Sequence, residues 1–165
     1  MIPVADLPAL IQQCAPQVAA CTVQSFIQVE SSYKPFTLNV NGSQVLARPP
    51  RNMSEAISWA QWLIEHGYSV DMGYCQINSQ HIRNPRSPAY RMTAEQILDP
   101  CTNLRICNHI IASDYQRALK IYKDPQKALH AAASAFNTGN YRKGFSNGYV
   151  QRVYNAAKSL CGVQS

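Results

Sequence analysis

The sequence predicts a mainly α, single-domain protein, and three observations carry that expectation. Helix-start signals recur along the chain: Ser54 before Glu55, the Thr93-Ala94-Glu95-Gln96 box, Asp99-Pro100 and Asp124-Pro125. Strand-like alternation is confined to Phe36 to Val40, ahead of the turn pair Asn41-Gly42. No internal repeat or low-complexity linker interrupts the 165 residues, a length that one domain with a real core occupies. The expectation is six or seven helices with at most a small β hairpin, over residues 1–165 as one domain.

In chain order, Leu7 to Cys14 reads as a short helix stopped before Pro16. A second helix runs to about Ser31, with Phe26, Ile27 and Val29 to pack it and Glu30 at its C-terminal end. Arg48-Pro49-Pro50 is loop. Ser54 is expected to cap a third helix that ends at Gly67. Its Trp59 and Trp62 lie three apart, and core packing is favoured for them over stacking on sugar rings. Tyr68 to Asn78 reads as irregular. A short helix follows the Thr93 box, and a long one runs from Pro100 towards Tyr122. The helix after Asp124-Pro125 carries Ala128 to Ala135, and its alanine-rich face predicts a central position. It is expected to end at Phe136-Asn137-Thr138-Gly139, and a last helix covers about Gly148 to Leu160.

Composition narrows the function classes. With 46% hydrophobic and 15% charged residues the chain folds rather than staying disordered. No apolar run approaches the roughly 20 residues of a membrane span. Met1 to Leu10 is apolar but holds Asp6 and two prolines with no basic segment ahead, so an export signal is not evident in it. The net charge of +6 comes from 15 Lys and Arg scattered without a stripe and without a nucleic-acid-binding motif. Diffuse basicity suits an anionic polymer such as the bacterial cell wall.

Six cysteines point to an oxidising compartment, and their spacings match no zinc site, so no metal is expected. Cys101 and Cys107 fall on one predicted helix, where six residues rise about 9 Å, too far for a mutual bond. Each therefore needs a partner elsewhere, with Cys14, Cys21 and Cys161 as candidates. Cys75 lies in a loop motif and is expected to stay free.

An acid where a buried helix meets a loop is partly removed from water. Desolvation disfavours its ionised form, so Glu30 suits a general acid. The segments around it form an ordered set: Glu30-Ser31-Ser32, then Gly73-Tyr74-Cys75-Gln76-Ile77-Asn78, then Ala135-Phe136-Asn137-Thr138-Gly139, then Gly148-Tyr149-Val150. With these motifs the chain, from about Cys14 to Ala157, resembles the lysozyme-like domain of soluble lytic transglycosylases. More narrowly it resembles the specialised lytic transglycosylases encoded with bacterial type IV secretion and conjugation systems. Two departures stand out: Cys75 where the family has a small residue or methionine, and Phe136 in place of the usual tyrosine.

The resemblance implies a lysozyme-like fold and cleavage of the β-1,4 bond between N-acetylmuramic acid and N-acetylglucosamine, without metal or organic cofactor. It makes Glu30 catalytic and places Ser31, Tyr74, Gln76, Asn78, Phe136, Asn137, Gly139 and Tyr149 along the substrate. The implied partners are peptidoglycan glycan strands and type IV secretion or conjugation components, in the periplasm, with no nucleic acid and no membrane span. Two alternatives remain beside it. A water-using muramidase would employ Asp71 as second carboxylate, although an Asx-type turn with Gly73 is the expected role of Asp71. A non-catalytic wall-binding secretion component would use the same cleft without cleavage.

Overall fold

The computed structural model describes residues 6–162. Among them are eight α-helices and one three-stranded antiparallel sheet, a mainly α fold as the sequence predicts. The chain divides into two compact units, Met1–Val29 with Cys107–Ser165, and Glu30–Ile106. The N-terminal residues 1–5, part of the segment read for an export signal, lie outside the described residues. No described helix is long and apolar enough to cross a membrane.

The discontinuous unit is built from α1 (Leu7–Cys14), most of α2 (Ala20–Ser31), the later turns of α5 (Pro100–Tyr122), α6 (Pro125–Thr138), α7 (Lys143–Ser146) and α8 (Tyr149–Cys161). Leu7, Ile11 and Cys14 recur at helical spacing and are the buried stripe of α1. Val23, Phe26 and Ile27 do the same for α2 and are fully buried. The Asp124 side chain accepts a hydrogen bond from the Lys127 N–H at 2.9 Å, which starts α6 at Pro125 as expected.

Small residues on α6 let its neighbours approach closely. Ala128 and Ala131 pack with Ala118 of α5 beneath Tyr115, Tyr122 and Tyr141. The Gly144 N–H donates to Ser134 Oγ at 2.8 Å, and a Cβ on Gly144 would stand 2.6 Å from the Ser134 Cα. The same alanine face that predicts a central helix is thus the packing surface for α5 and α7. A disulfide, Cys21–Cys161, ties α2 to the end of α8 across a sequence separation of 140.

The continuous unit carries the sheet, ordered β1 (Leu38–Val40), β2 (Val70–Met72), β3 (Ile77–Asn78), together with α3 (Met53–Glu65), α4 (Ala94–Leu98) and a 3-10 turn at Ser79–Arg83. Three local expectations are corrected here. The chain does not turn back at Asn41-Gly42: β1 pairs with β2 across the intervening α3, and the hairpin is β2–β3. Tyr68 to Asn78 therefore holds two strands rather than irregular chain. The cap of α3 is Asn52 rather than Ser54, because Asn52 has extended backbone and its side chain accepts from the Glu55 N–H at 2.9 Å.

Trp62 departs from core packing and is 53% exposed, because the buried stripe of α3 is Ala56, Ala60 and Leu63. The capping box at Thr93 and the Asp99 cap of α5 form as predicted.

All six cysteines are disulfide-bonded, Cys75 included, which corrects the expectation of a free thiol there. The loop that holds Cys75 is not open: the residue is fully buried, and its N–H donates to Asn103 Oδ1 at 2.9 Å. Cys21 and Cys161, set down as candidate partners for Cys101 and Cys107, bond to each other instead.

Candidate active site

Glu30 lies half-buried in the last turn of α2, and Ser31 beside it is buried. The next two residues leave the helix in left-handed backbone, Ser32 at φ 49° and Tyr33 at φ 67°. Such conformations cost non-glycine residues on the order of 1–2 kcal/mol each and persist only where the surroundings impose them. The chain then turns through Lys34 N–H to Ser31 O (3.1 Å) and Thr37 N–H to Lys34 O (3.3 Å). Burial raises the Tyr33 phenol above its ordinary value.

That turn is clamped to the second motif at a single carbonyl. Thr37 O accepts from the Gly73 N–H at 2.9 Å and from Gln76 Nε2 at 3.1 Å. The same Gln76 amide donates to Gly73 O at 3.0 Å, which closes the loop on itself. Gln76 itself is left-handed, φ 51°, a third non-glycine in this backbone region across the two motifs and the turn after the first. Gly73 has φ 79°, and a Cβ there would fall 2.5 Å from Asn103 Nδ2. Asn103 is fully buried and fastens the loop from beneath: its amide donates to Met72 O and Ile97 O, each at 2.9 Å. Tyr74 is only 2% exposed, and burial raises its phenol above the ordinary value.

Asp71 does not form the expected Asx turn. It sits at the centre of β2, in register with Asn39 on β1 and Asn78 on β3. Its carboxylate accepts from Asn39 Nδ2 (3.3 Å), Asn41 Nδ2 (3.0 Å) and Asn78 Nδ2 (2.8 Å). Ser69 Oγ accepts from the amides of Asn41 and Asn78, and Asn78 Oδ1 accepts from the Gln80 N–H to start the 3-10 turn. One carboxylate and three amides therefore occupy the polar face of the sheet. Motif reading alone missed Asn39, Asn41 and Ser69. The alternation Leu38-Asn39-Val40-Asn41, apolar and polar in turn, is the signal that could have placed them on one face.

The remaining motif residues belong to the other unit. Phe136 and Asn137 lie in the last turn of α6, which runs to Thr138 before the left-handed Gly139 ends it. The helix thus ends within Phe136-Asn137-Thr138-Gly139, as expected. Phe136 meets the buried Phe26 edge to face, centroids 5.1 Å apart. Tyr149, 2% exposed at the start of α8, meets Phe26 at 6.4 Å. Asn137 Oδ1 accepts from Asn147 Nδ2 at 2.7 Å, and Asn147 Oδ1 accepts from the Tyr149 N–H at 3.0 Å. The third and fourth motifs are so joined to each other, as the first and second are.

The family described as "Transglycosylase SLT domain" matches residues 9–158. Proteins called "Type IV secretion system protein virB1" from Brucella abortus and Brucella suis are 38% identical over 154 residues, 90% of this chain and 62% of theirs. "Protein virB1" of Agrobacterium fabrum is 32% identical over 156 residues, 94% of this chain and 61% of its own. The chain thus spans somewhat under two thirds of the length of these relatives. No solved structure matches it. The matched span takes in Glu30, the Gly73–Asn78 loop, the end of α6 and the start of α8: the chain belongs to the transglycosylase SLT domain family.

Proposed function

We propose that this chain is a peptidoglycan lytic transglycosylase, acting as one catalytic domain. It cleaves the β-1,4 bond between N-acetylmuramic acid and N-acetylglucosamine and leaves a 1,6-anhydro end. The observation that carries the reading is the clamp at Thr37 O, which holds the turn after Glu30 against the Gly73–Gln76 loop. Family membership supports the reaction class. The name of the Brucella relatives, a type IV secretion system protein, supports a role with a type IV secretion apparatus; that the enzyme opens the wall for it or for conjugation, in the periplasm, is part of the proposal.

In this mechanism protonated Glu30 gives its proton to the departing glycosidic oxygen as the C1–O bond breaks. The substrate's own N-acetyl group steadies the positive charge at C1. Glu30, now a carboxylate, takes the proton of the muramic C6 hydroxyl while that oxygen bonds to C1. The enzyme ends in its starting protonation state, and no water is consumed. Positioned acid–base help is worth roughly 10²–10⁴ in rate for one step, and here one residue serves both.

The backbone amides, hydroxyl and carboxamides of Ser31, Gln76, Asn78, Asn137 and Gly139 are offered as polar contacts for the sugars. Phe136, Tyr74 and Tyr149 act from within their own units, as packed supports for the segments that carry those groups. Replacing Glu30 by Gln tests the assignment. Release of soluble fragments from purified cell-wall sacculi should fall by at least about 10²-fold. Retention of most activity would remove Glu30 from the mechanism.

A water-using muramidase is the second reading, favoured by one observation: Asp71 shares the Glu30–Ile106 unit with Glu30 and presents its carboxylate on the polar sheet face. Three amides already occupy that carboxylate, which suits a sheet-fastening role. An Asp71→Asn enzyme that keeps most of its turnover would support that role, and an inactive but folded one would favour the two-carboxylate hydrolase.

A further inference from the structure

The two tryptophans of α3 have different surroundings. The Trp59 ring is capped by the Arg48 guanidinium at 4.7 Å, and that Arg is itself forked onto the Glu55 carboxylate. One face of Trp59 is therefore already used within the protein. Trp62, one turn on, is 53% exposed.

Its indole is nevertheless ordered by its neighbours. His66 stacks on it with centroids 3.9 Å apart and planes 19° apart, and Tyr68 lies at 6.3 Å and 21°. His66 Nδ1 lies 2.7 Å from Trp62 O, an acceptor only, so the proton of this bond sits on Nδ1. In the neutral ring Nε2 is then an acceptor. Ser58, Gln61 and Glu65 of the same helix are exposed.

An exposed indole stacked on an imidazole, on a helix that also exposes a hydroxyl, an amide and a carboxylate, is far smaller than a stable protein interface, which buries roughly 800 Å² per partner. It matches the size and chemistry of one pyranose ring, whose axial C–H face is apolar and whose edge carries hydroxyls. We propose that Trp62, with His66 and Tyr68, forms a carbohydrate-binding platform on α3 for a β-1,4-linked N-acetylhexosamine strand. It retains the glycan without taking part in its cleavage. The identity of the sugar rests on the glycan-cleaving reading above, whereas the platform itself rests on the ring geometry.

The chain has only two tryptophans, so emission reports the site directly. The probe is the β-1,4-linked tetramer of N-acetylglucosamine, added to the Glu30→Gln chain so that nothing is cleaved. With Trp59→Phe added, which leaves Trp62 as sole reporter, titration should give a saturable emission change. With Trp62→Phe instead, that change should vanish. Trp62→Ala in the same background should weaken retention on intact sacculi roughly five- to tenfold, with thermal unfolding showing that the variant is folded. An unresponsive Trp62 reporter, or a folded Trp62→Ala variant retained as well as its parent, overturns the proposal. Failure of the catalytic reading is seen separately, as a wild-type chain that releases no fragments while its Trp62 still responds to the tetramer; that outcome sustains the platform.

Discussion

The two units are held together by different means. The unit of Met1–Val29 and Cys107–Ser165 relies on packed rings, small residues and a covalent staple: Phe26 against Phe136 and Tyr149, Ala128 and Ala131 against Ala118, and Cys21–Cys161. The Glu30–Ile106 unit relies on a tiny sheet whose polar face is one carboxylate and three amides, and on a buried asparagine beneath a loop. Of the five described non-glycine residues with positive φ, four (Ser32, Tyr33, Gln76, Arg91) lie in the second unit. Backbone strain is therefore gathered on the same unit as Glu30, and three of those four residues belong to the first two motifs or to the turn between them. Strain of this kind persists where structure is held for chemistry rather than for stability alone.

If that contrast is right, damage to the first unit reads out as lost stability, and damage to the second as lost activity first. The largest stability loss is expected from Phe26→Ala, which empties the ring cluster: about 3–5 kcal/mol, measured by denaturant unfolding. A loss below 1 kcal/mol would mean that Phe136 and Tyr149 do not depend on Phe26. Next comes the double replacement Cys21→Ser with Cys161→Ser. Opening so long a closure should cost about 2–5 kcal/mol, seen as a lowered unfolding temperature under oxidising conditions.

Gly73→Ala acts on the other side of the comparison. A side chain in left-handed backbone costs about 1–2 kcal/mol, and the new Cβ also displaces the Asn103 amide. Activity on sacculi should fall further than this stability loss accounts for, because the loop bonded to Thr37 O shifts; a fully active Gly73→Ala enzyme would break the link between strain and function. The smallest effect expected is electrostatic. The Arg48 fork and the Arg51 N–H lower the Glu55 carboxyl from 4.5 to about 2. A depressed folded value stabilises at pH above the ordinary one, and the contribution drains away as pH falls from 4.5 towards 2. Arg48→Ala should flatten that acid limb of the stability profile, and an unchanged limb would assign it to other carboxylates.

Much of the helical framework was legible because capping is local. Asp99, Asp124 and Thr93 announce their helices within four residues, and the structure places the helix starts there. Pairing of β1 with β2 was not legible in the same way. It joins residues thirty or more apart, and Asn41-Gly42 carries a turn signal that the chain does not use to make a hairpin. Cys75 was misread because its loop looks polar and open in sequence. It is held inward by its disulfide and by the buried Asn103, 28 residues later, which accepts its N–H. Trp62 was misread because spacing gives the face of a helix but not which face a domain covers. Of the candidate site, Glu30 and the Gly73–Gln76 loop could be named from motif order alone, but the carbonyl that ties the loop to the turn after Glu30, Thr37 O, belongs to no motif.

In the proposed reaction Glu30 acts alone, first as acid and then as base, on a wall glycan. Mass spectrometry of sacculi digested by the wild-type chain tests it most directly, with Glu30→Gln as the control. 1,6-Anhydromuropeptides are expected as the main products, nearly disappearing in the control. Muropeptides with reducing-end muramic acid as the main products would contradict it and place a water molecule, activated by a second carboxylate, in the reaction.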